Sequence, residues 1–186
     1  MSTDTAGLVV LVLLGAVLLA CVLGWTAAGR AVWVPCSAAL LAVTIITAAA
    51  VPEITVGGRG GTTLLVVLAG AVAVVGGGPV TSLVFAWVDR RDPPASGDQQ
   101  PLHTAGDVLR GGAWIGALER TAVFASLVGG RTEGLAIALA LKGLGRYPEL
   151  RSGASAGAAE RFIIGTFTSV LWACACAGVV WLTAPR

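Results

Sequence analysis

The segment GLVVLVLLGAVLLACVLGWTA, residues 7–27, runs for 21 positions without a charged side chain. A helix rises 1.5 Å per residue, so about 20 apolar residues cross a hydrocarbon layer ~30 Å thick. This run therefore predicts a membrane-spanning helix. The MSTDTA that precedes it lacks the basic residues of a signal peptide, and the apolar run is longer than a signal peptide's core. It is read as a retained first span.

The rest of the chain has the same character. Of 186 residues, 56% are hydrophobic and 12% are charged, and the mean hydropathy is +0.86. A soluble domain carries about 25% charged residues, so this chain lacks the polar surface that water would require. Its net charge of +2 makes no case for nucleic acid. Cys21, Cys36, Cys174 and Cys176 all lie in apolar runs without metal-ligand spacing. They read as small packing residues rather than as a disulfide framework.

Working outward, further spans are expected at 32–51, 63–88, 109–128, 132–147 and 161–183, which makes six. The fifth is short, bounded by Gly130 and Pro148. Trp25, Trp33, Trp87, Trp114 and Trp181 fall near span ends, where an amphipathic ring prefers the interface. The one long polar stretch, DRRDPPASGDQQPLHTAGD at 89–107, reads as an aqueous linker that also holds the single histidine, His103. It divides an N-terminal membrane half, 1–88, from a C-terminal half, 108–186. With the N-terminus outside, eight cations face the cytoplasm: Arg30, Arg90, Arg91, Arg110, Lys142, Arg146, Arg151 and Arg161. Three, Arg59, Arg131 and Arg186, face out. That bias predicts an N-out, C-out, all-α bundle by the positive-inside rule.

Two charges interrupt the apolar pattern. Glu119 and Arg120 lie inside the fourth span, nine to ten residues before Gly129, or about 14 Å along a helix. Charged side chains at such depth cost ~2.5–3.5 kcal/mol on insertion scales and need partners. The expected partners are cations at the ends of the fifth and sixth spans: Lys142 and Arg146, which share a helix face, and Arg161, next to Glu160. Gly112, Gly116 and Glu119 share one face, which predicts a close helix crossing beside Glu119. Three readings stand. The charges hold helix register, they form a path for protons, ions or an anionic substrate, or the basic edge recognises lipid headgroups.

A second irregularity is Gly76-Gly77-Gly78-Pro79 in the third span. Proline has no N–H, so the Val75 carbonyl loses its helical donor, and a kink or break is expected. Thr81 and Ser82 follow and can satisfy freed carbonyls. Broken spans line solute sites in some transporters, while a packing kink is the plainer reading. Thr166, Thr168 and Ser169 in the sixth span are weak evidence for anything beyond packing. No HExxH, GxSxG, P-loop or paired-cysteine metal pattern occurs, so nothing calls for a cofactor or a metal, or points to catalysis.

Three blocks in the second half belong together: GAWIGALER at 112–120, ALKGLGRYPEL at 140–150 and AERFIIGTFTS at 159–169. Their order and spacing resemble the C-terminal membrane segment of a family of uncharacterised bacterial integral membrane proteins, over about 111–172. That segment has the pattern G-x-W-I-G-x-L-E-R, then A-x-K-x-x-x-R-x-x-E-L, then A-E-x-x-x-I-G-T-x-x-S. The resemblance implies that Trp114, Glu119, Arg120, Lys142, Arg146, Glu149, Glu160, Gly165 and Thr166 belong to a shared pattern, and it fits a multi-pass place in a bacterial plasma membrane. It implies no activity, and it does not reach the first half.

The expectation is thus a small channel- or transporter-like membrane protein centred on Glu119, at this size an oligomer. The alternative is a non-catalytic subunit or lipid-binding scaffold. Its partners would be membrane lipids, a second copy or another membrane protein, the last docking on the first two spans near Gly15, Ala16 and Ala20.

Overall fold

The structure is a computed structural model that describes residues 3–26, 29–51, 56–91, 112–151 and 156–183. These form six α-helices and no strand: α1 Thr3–Leu23, α2 Arg30–Ala50, α3 Gly58–Arg91, α4 Gly112–Val128, α5 Thr132–Arg151 and α6 Ala156–Thr183. Four of them, α1, α2, α3 and α6, are long and apolar enough to cross a membrane.

The helices follow from the apolar runs, and their faces from spacing. On α1 the buried residues Ala6, Val10, Leu14, Val17 and Cys21 recur at helical intervals, while Leu8, Val12 and Leu19 point outward. On α2, Val34, Ser37, Leu41, Thr44 and Ala48 repeat three and four apart. Its two buried hydroxyls bond back to their own helix, Ser37 to the Val34 carbonyl and Thr44 to the Leu40 carbonyl, both at 2.8 Å. Polar side chains thus enter the seam without leaving a donor unmet. The α2 helix ends where Val51 turns extended, φ −112° and ψ 105°, the conformation favoured before a proline such as Pro52.

α3 and α6 pack most extensively and form the centre. α1 and α2 pair on one side and also touch α3; α2 reaches α6 as well. α4 lies against both α3 and α6 on the other side, and the main packing partner of α5 is α4. Contacts fix the directions. Cys21 and Trp25 of the α1 end meet Gly76 and Gly78, so α1 runs parallel to α3. Phe124 meets Gly70 while Arg120 meets Gly77, so α4 runs antiparallel to α3. Gly165 meets Phe85 while Trp172 meets Gly76, so α6 is antiparallel to α3 also. Neighbours in the chain alternate in direction.

The α4–α5 turn is closed by two backbone bonds, Arg131 N–H to the Ser126 carbonyl at 2.8 Å and Gly130 N–H to Leu127 at 3.1 Å. Gly130 supplies the φ of +69° that this termination requires. Gly134 then passes so close to Ser126 that a Cβ there would lie 2.2 Å from its hydroxyl.

Several boundaries differ from the expectation. α3 continues unbroken through Gly76–Pro79 and on to Arg91, past the expected span end at 88 and into the start of the linker. α5 continues past Pro148 to Arg151, because a proline in the last turn removes only one ladder donor near an already open end. Ala20 is buried within the bundle and offers no surface to a partner, whereas nothing lies close to Gly15. The rest of the linker, with His103, and residues 109–111 lie outside the described residues.

Candidate functional site

The three consecutive glycines of α3 are not a break but a socket. Each faces a different neighbour. A Cβ on Gly76 would lie 2.6 Å from the Trp172 ring and 2.7 Å from Cys21 Sγ. One on Gly77 would lie 2.3 Å from Arg120 Cδ, and one on Gly78 would lie 3.0 Å from the Trp25 ring. Real Cβ atoms do not approach as closely as those at Gly76 and Gly77 would, and the one at Gly78 would be tight, so glycine lets these side chains press against the helix backbone.

The same bareness opens the carbonyls one turn back. A helical carbonyl points toward the side chains three and four residues on, and at least one of the two is a glycine for each of Val72, Val74 and Val75. Trp172 Nε1 donates to the Val72 carbonyl at 3.0 Å, Arg120 Nε to Val74 at 3.0 Å, and Trp25 Nε1 to Val75 at 3.1 Å. Val75 is the carbonyl that Pro79 deprives of its donor. Its replacement partner is Trp25, fifty residues away in sequence. Thr81 and Ser82, expected to serve this role, bond instead to the carbonyls of Gly77 at 2.8 Å and Gly78 at 3.1 Å. Three helices are thereby tied to one turn of α3 by side-chain N–H groups.

Arg120 is only 7% exposed. Its side chain folds back toward the start of α4, as long helical side chains do, and lies over Gly116, whose Cβ position is 3.1 Å from a terminal guanidinium nitrogen. Gly116 therefore makes room for its own helix's arginine. Gly112 has nothing close by, so no helix crosses at Gly112 and Gly116 among the described residues. A second bond runs from Arg120 Nη1 to Ser169 Oγ of α6, at 3.4 Å. No carboxylate among the described residues forms an ion pair with Arg120.

Glu119, one residue earlier and so turned away from Arg120, meets Lys142 of α5 through Oε2. Glu119–Lys142 and Ser126–Gly134 are nearly equidistant in sequence from Gly130, which is the register of an antiparallel hairpin. Arg161 of α6 does not join this group. It pairs with Asp89 in the last turn of α3. Glu160 is exposed. Arg146 lies on α5, and its side chain is outside the described residues. Among the described residues the expected cluster is thus two ion pairs, Glu119–Lys142 and Asp89–Arg161, and a carbonyl-bound Arg120.

Between α4, α5 and α6, a cavity of about 10 Å³ is lined by Glu119, Arg120, Lys142 and Ser169, with Val123, Ala138, Leu139 and Val170 as its apolar walls. About 10–15 Å³ is the least that holds one water molecule. One turn before Ser169, the Thr166 hydroxyl is buried without a hydrogen-bond partner in the structure.

Sequence reading passed over Trp172 and Asp89. Trp172 stands mid-run among apolar neighbours, and nothing local distinguishes it from a lipid-facing ring. Asp89 falls in a stretch rich in polar residues. Trp25, Trp33, Trp87, Trp114 and Trp181 are all exposed, while Trp172 is buried.

Comparison with known proteins leaves the site to its own geometry: no family model, no curated protein and no solved structure matches this chain. The resemblance over 111–172 therefore rests on its motif residues alone.

Proposed function

We propose that this is a polytopic membrane protein that works as a non-catalytic subunit or lipid-bound scaffold, with intramembrane charges that hold helices in register rather than carry solute. One observation carries the reading. Glu119, Arg120 and Arg161 are each bound to a helix other than their own, and the space beside the first two is about 10 Å³. A path for a solute needs continuous room and groups free to exchange partners; these groups are spent on their neighbours. Six crossings in an N-out, C-out arrangement accord with the alternating helix directions and with the cation bias. In this arrangement α4, with 17 residues or about 25 Å of helix, is the short crossing, and Pro79 bends the third. Lipids are the surrounding partner. The exposed Trp114, Leu118, Leu141 and Leu144 of the α4–α5 hairpin form the apolar surface offered to them or to a further membrane protein.

The test is flux into liposomes that hold a pH-sensitive dye, with purified wild type and Glu119→Gln side by side. Both should match protein-free liposomes. Proton or ion entry with wild type that disappears in Glu119→Gln contradicts the scaffold reading and restores the transport one.

A further inference from the structure

The cavity between α4, α5 and α6 gathers hydrogen-bonding groups of both kinds. Arg120, Lys142, Glu119 and Ser169 supply its polar wall. An arginine has five N–H donors and a lysine ammonium three. Of those on Arg120, one is held by the Val74 carbonyl at 3.0 Å, and one reaches Ser169 Oγ at a long 3.4 Å. Lys142 donates to Glu119 Oε2, while Oε1 of the same carboxylate meets no donor among the described residues. Glu119 and Arg120 are adjacent in sequence and diverge from the helix, and no direct ion pair joins them. Arg120 is nearly fully buried, and polar groups left unpaired in such a place are costly. The space they share is about 10 Å³, room for one water molecule and nothing larger. Its wall also selects by chemistry. An anion would face the Glu119 carboxylate, and a cation would face Arg120 and Lys142. Water both donates and accepts, so it suits a wall that mixes cationic donors, a hydroxyl and a carboxylate.

We propose that this cavity is a binding site for one water molecule, which accepts from the Arg120 guanidinium and the Lys142 ammonium and donates to the Glu119 carboxylate and Ser169 Oγ. Glu119 then answers Lys142 directly and Arg120 through the water. α4, α5 and α6 share one closed polar network, and Arg120 ties it to α3 through the Val74 carbonyl. The proposal goes beyond the scaffold reading and does not depend on it, since a held water serves a sealed helix clamp and a solute path alike.

The test is water-to-methyl cross-relaxation in NMR spectra of the protein in lipid nanodiscs, with carbon-13-labelled valine methyl groups. Val123 and Val170 belong to the apolar wall of the cavity. In wild type both should show cross-peaks to water with the sign of a long-lived, protein-bound molecule. Val12, which is exposed on the outer face of α1, should show none. Ala138 also lines the cavity, so Ala138→Val fills the space with methyl groups and leaves every polar group in place. It should abolish the Val123 and Val170 cross-peaks. Their absence in wild type overturns the proposal. So does their survival in Ala138→Val, because they then arise from exchanging Lys142 or Ser169 protons rather than from a held water. If that variant does not fold, an experimental structure that resolves ordered waters decides. One water within about 3 Å of Arg120, Glu119 and Ser169 upholds the site; Arg120 closed directly onto Glu119 with no water between them sinks it. Proton flux in liposomes separates the two proposals. Flux together with the cross-peaks removes the scaffold reading and keeps the water site; no flux and no cross-peaks does the reverse.

Discussion

The two hairpins that flank the α3–α6 centre are attached by different chemistry. The α1–α2 hairpin presents small and aliphatic residues, Ala6, Val10, Leu14 and Val17 on α1 and Val34, Leu41 and Ala48 on α2, in continuous buried stripes. It has a long-range side-chain bond to α3 from Trp25 to Val75, at the end of the helix. The α4–α5 hairpin buries only Arg120, Val123 and Phe124 on α4. It is secured by the Arg120 bonds to α3 and α6, by Trp181 Nε1 donating to the Leu127 carbonyl at 3.0 Å, and by the Glu119–Lys142 pair to α5. In lipid, aliphatic surface gains little from leaving the solvent, because the solvent is also aliphatic. A long stripe compensates by close packing. A short helix with few packed residues needs polar bonds, which strengthen where water is absent.

This contrast can be broken at defined positions. Replacing Gly77 with leucine drives a side chain into Arg120 and detaches α4 from the centre; the expected loss is about 3 kcal/mol, read as a lower Tm in detergent. Full stability in that variant removes the idea that the glycine socket matters. Next, Glu119→Lys sets two cations face to face and should cost about 2 kcal/mol, between the values for exposed and buried pairs. Lys142→Glu in the same chain should recover most of that, and a double-mutant cycle that finds the effects additive denies the pair any role in holding α5. Trp25→Phe loses the bond to Val75 together with part of the ring packed on Gly78, for about 1–2 kcal/mol; the shift should be seen in α1–α2 amide exchange and not in α4–α5. Smallest of all is Gly112→Ala. Nothing packs on Gly112, so its effect should stay within about 0.5 kcal/mol. A large loss there reinstates a helix partner at that face, for instance a second copy.

Much of the fold was legible because the solvent dictates it. Runs such as 7–27 and 161–183 are apolar for a full crossing, and helix is the one open-ended structure that satisfies its own backbone in lipid. Span ends were legible where Gly or Trp marked them. The ends that moved did so for local reasons, as when α5 passed Pro148 and α3 took in Asp89. The candidate site was legible as a set of residue types out of place: Glu119 and Arg120 among apolar neighbours, and Gly76–Pro79 in a helix. Their relation was not. Gly112 and Gly116 have the spacing of a crossing, but one is open and the other accommodates Arg120. Gly76, Gly77 and Gly78 have the composition of a break, but serve as three separate contact points.

The sequence by itself determined the helical class, the runs long and apolar enough to cross a membrane, and the positions where charge or missing side chains demand compensation. Each of these depends on a residue and its near neighbours, through transfer energy and helix geometry. Only the tertiary structure decided who compensates whom: Trp25 for Val75, Arg120 for Val74, Lys142 for Glu119 and Asp89 for Arg161. These partners lie on different helices, and side chains meet according to how the helices are rotated and staggered. That arrangement is set by the packing of all six helices together and is written in no single segment.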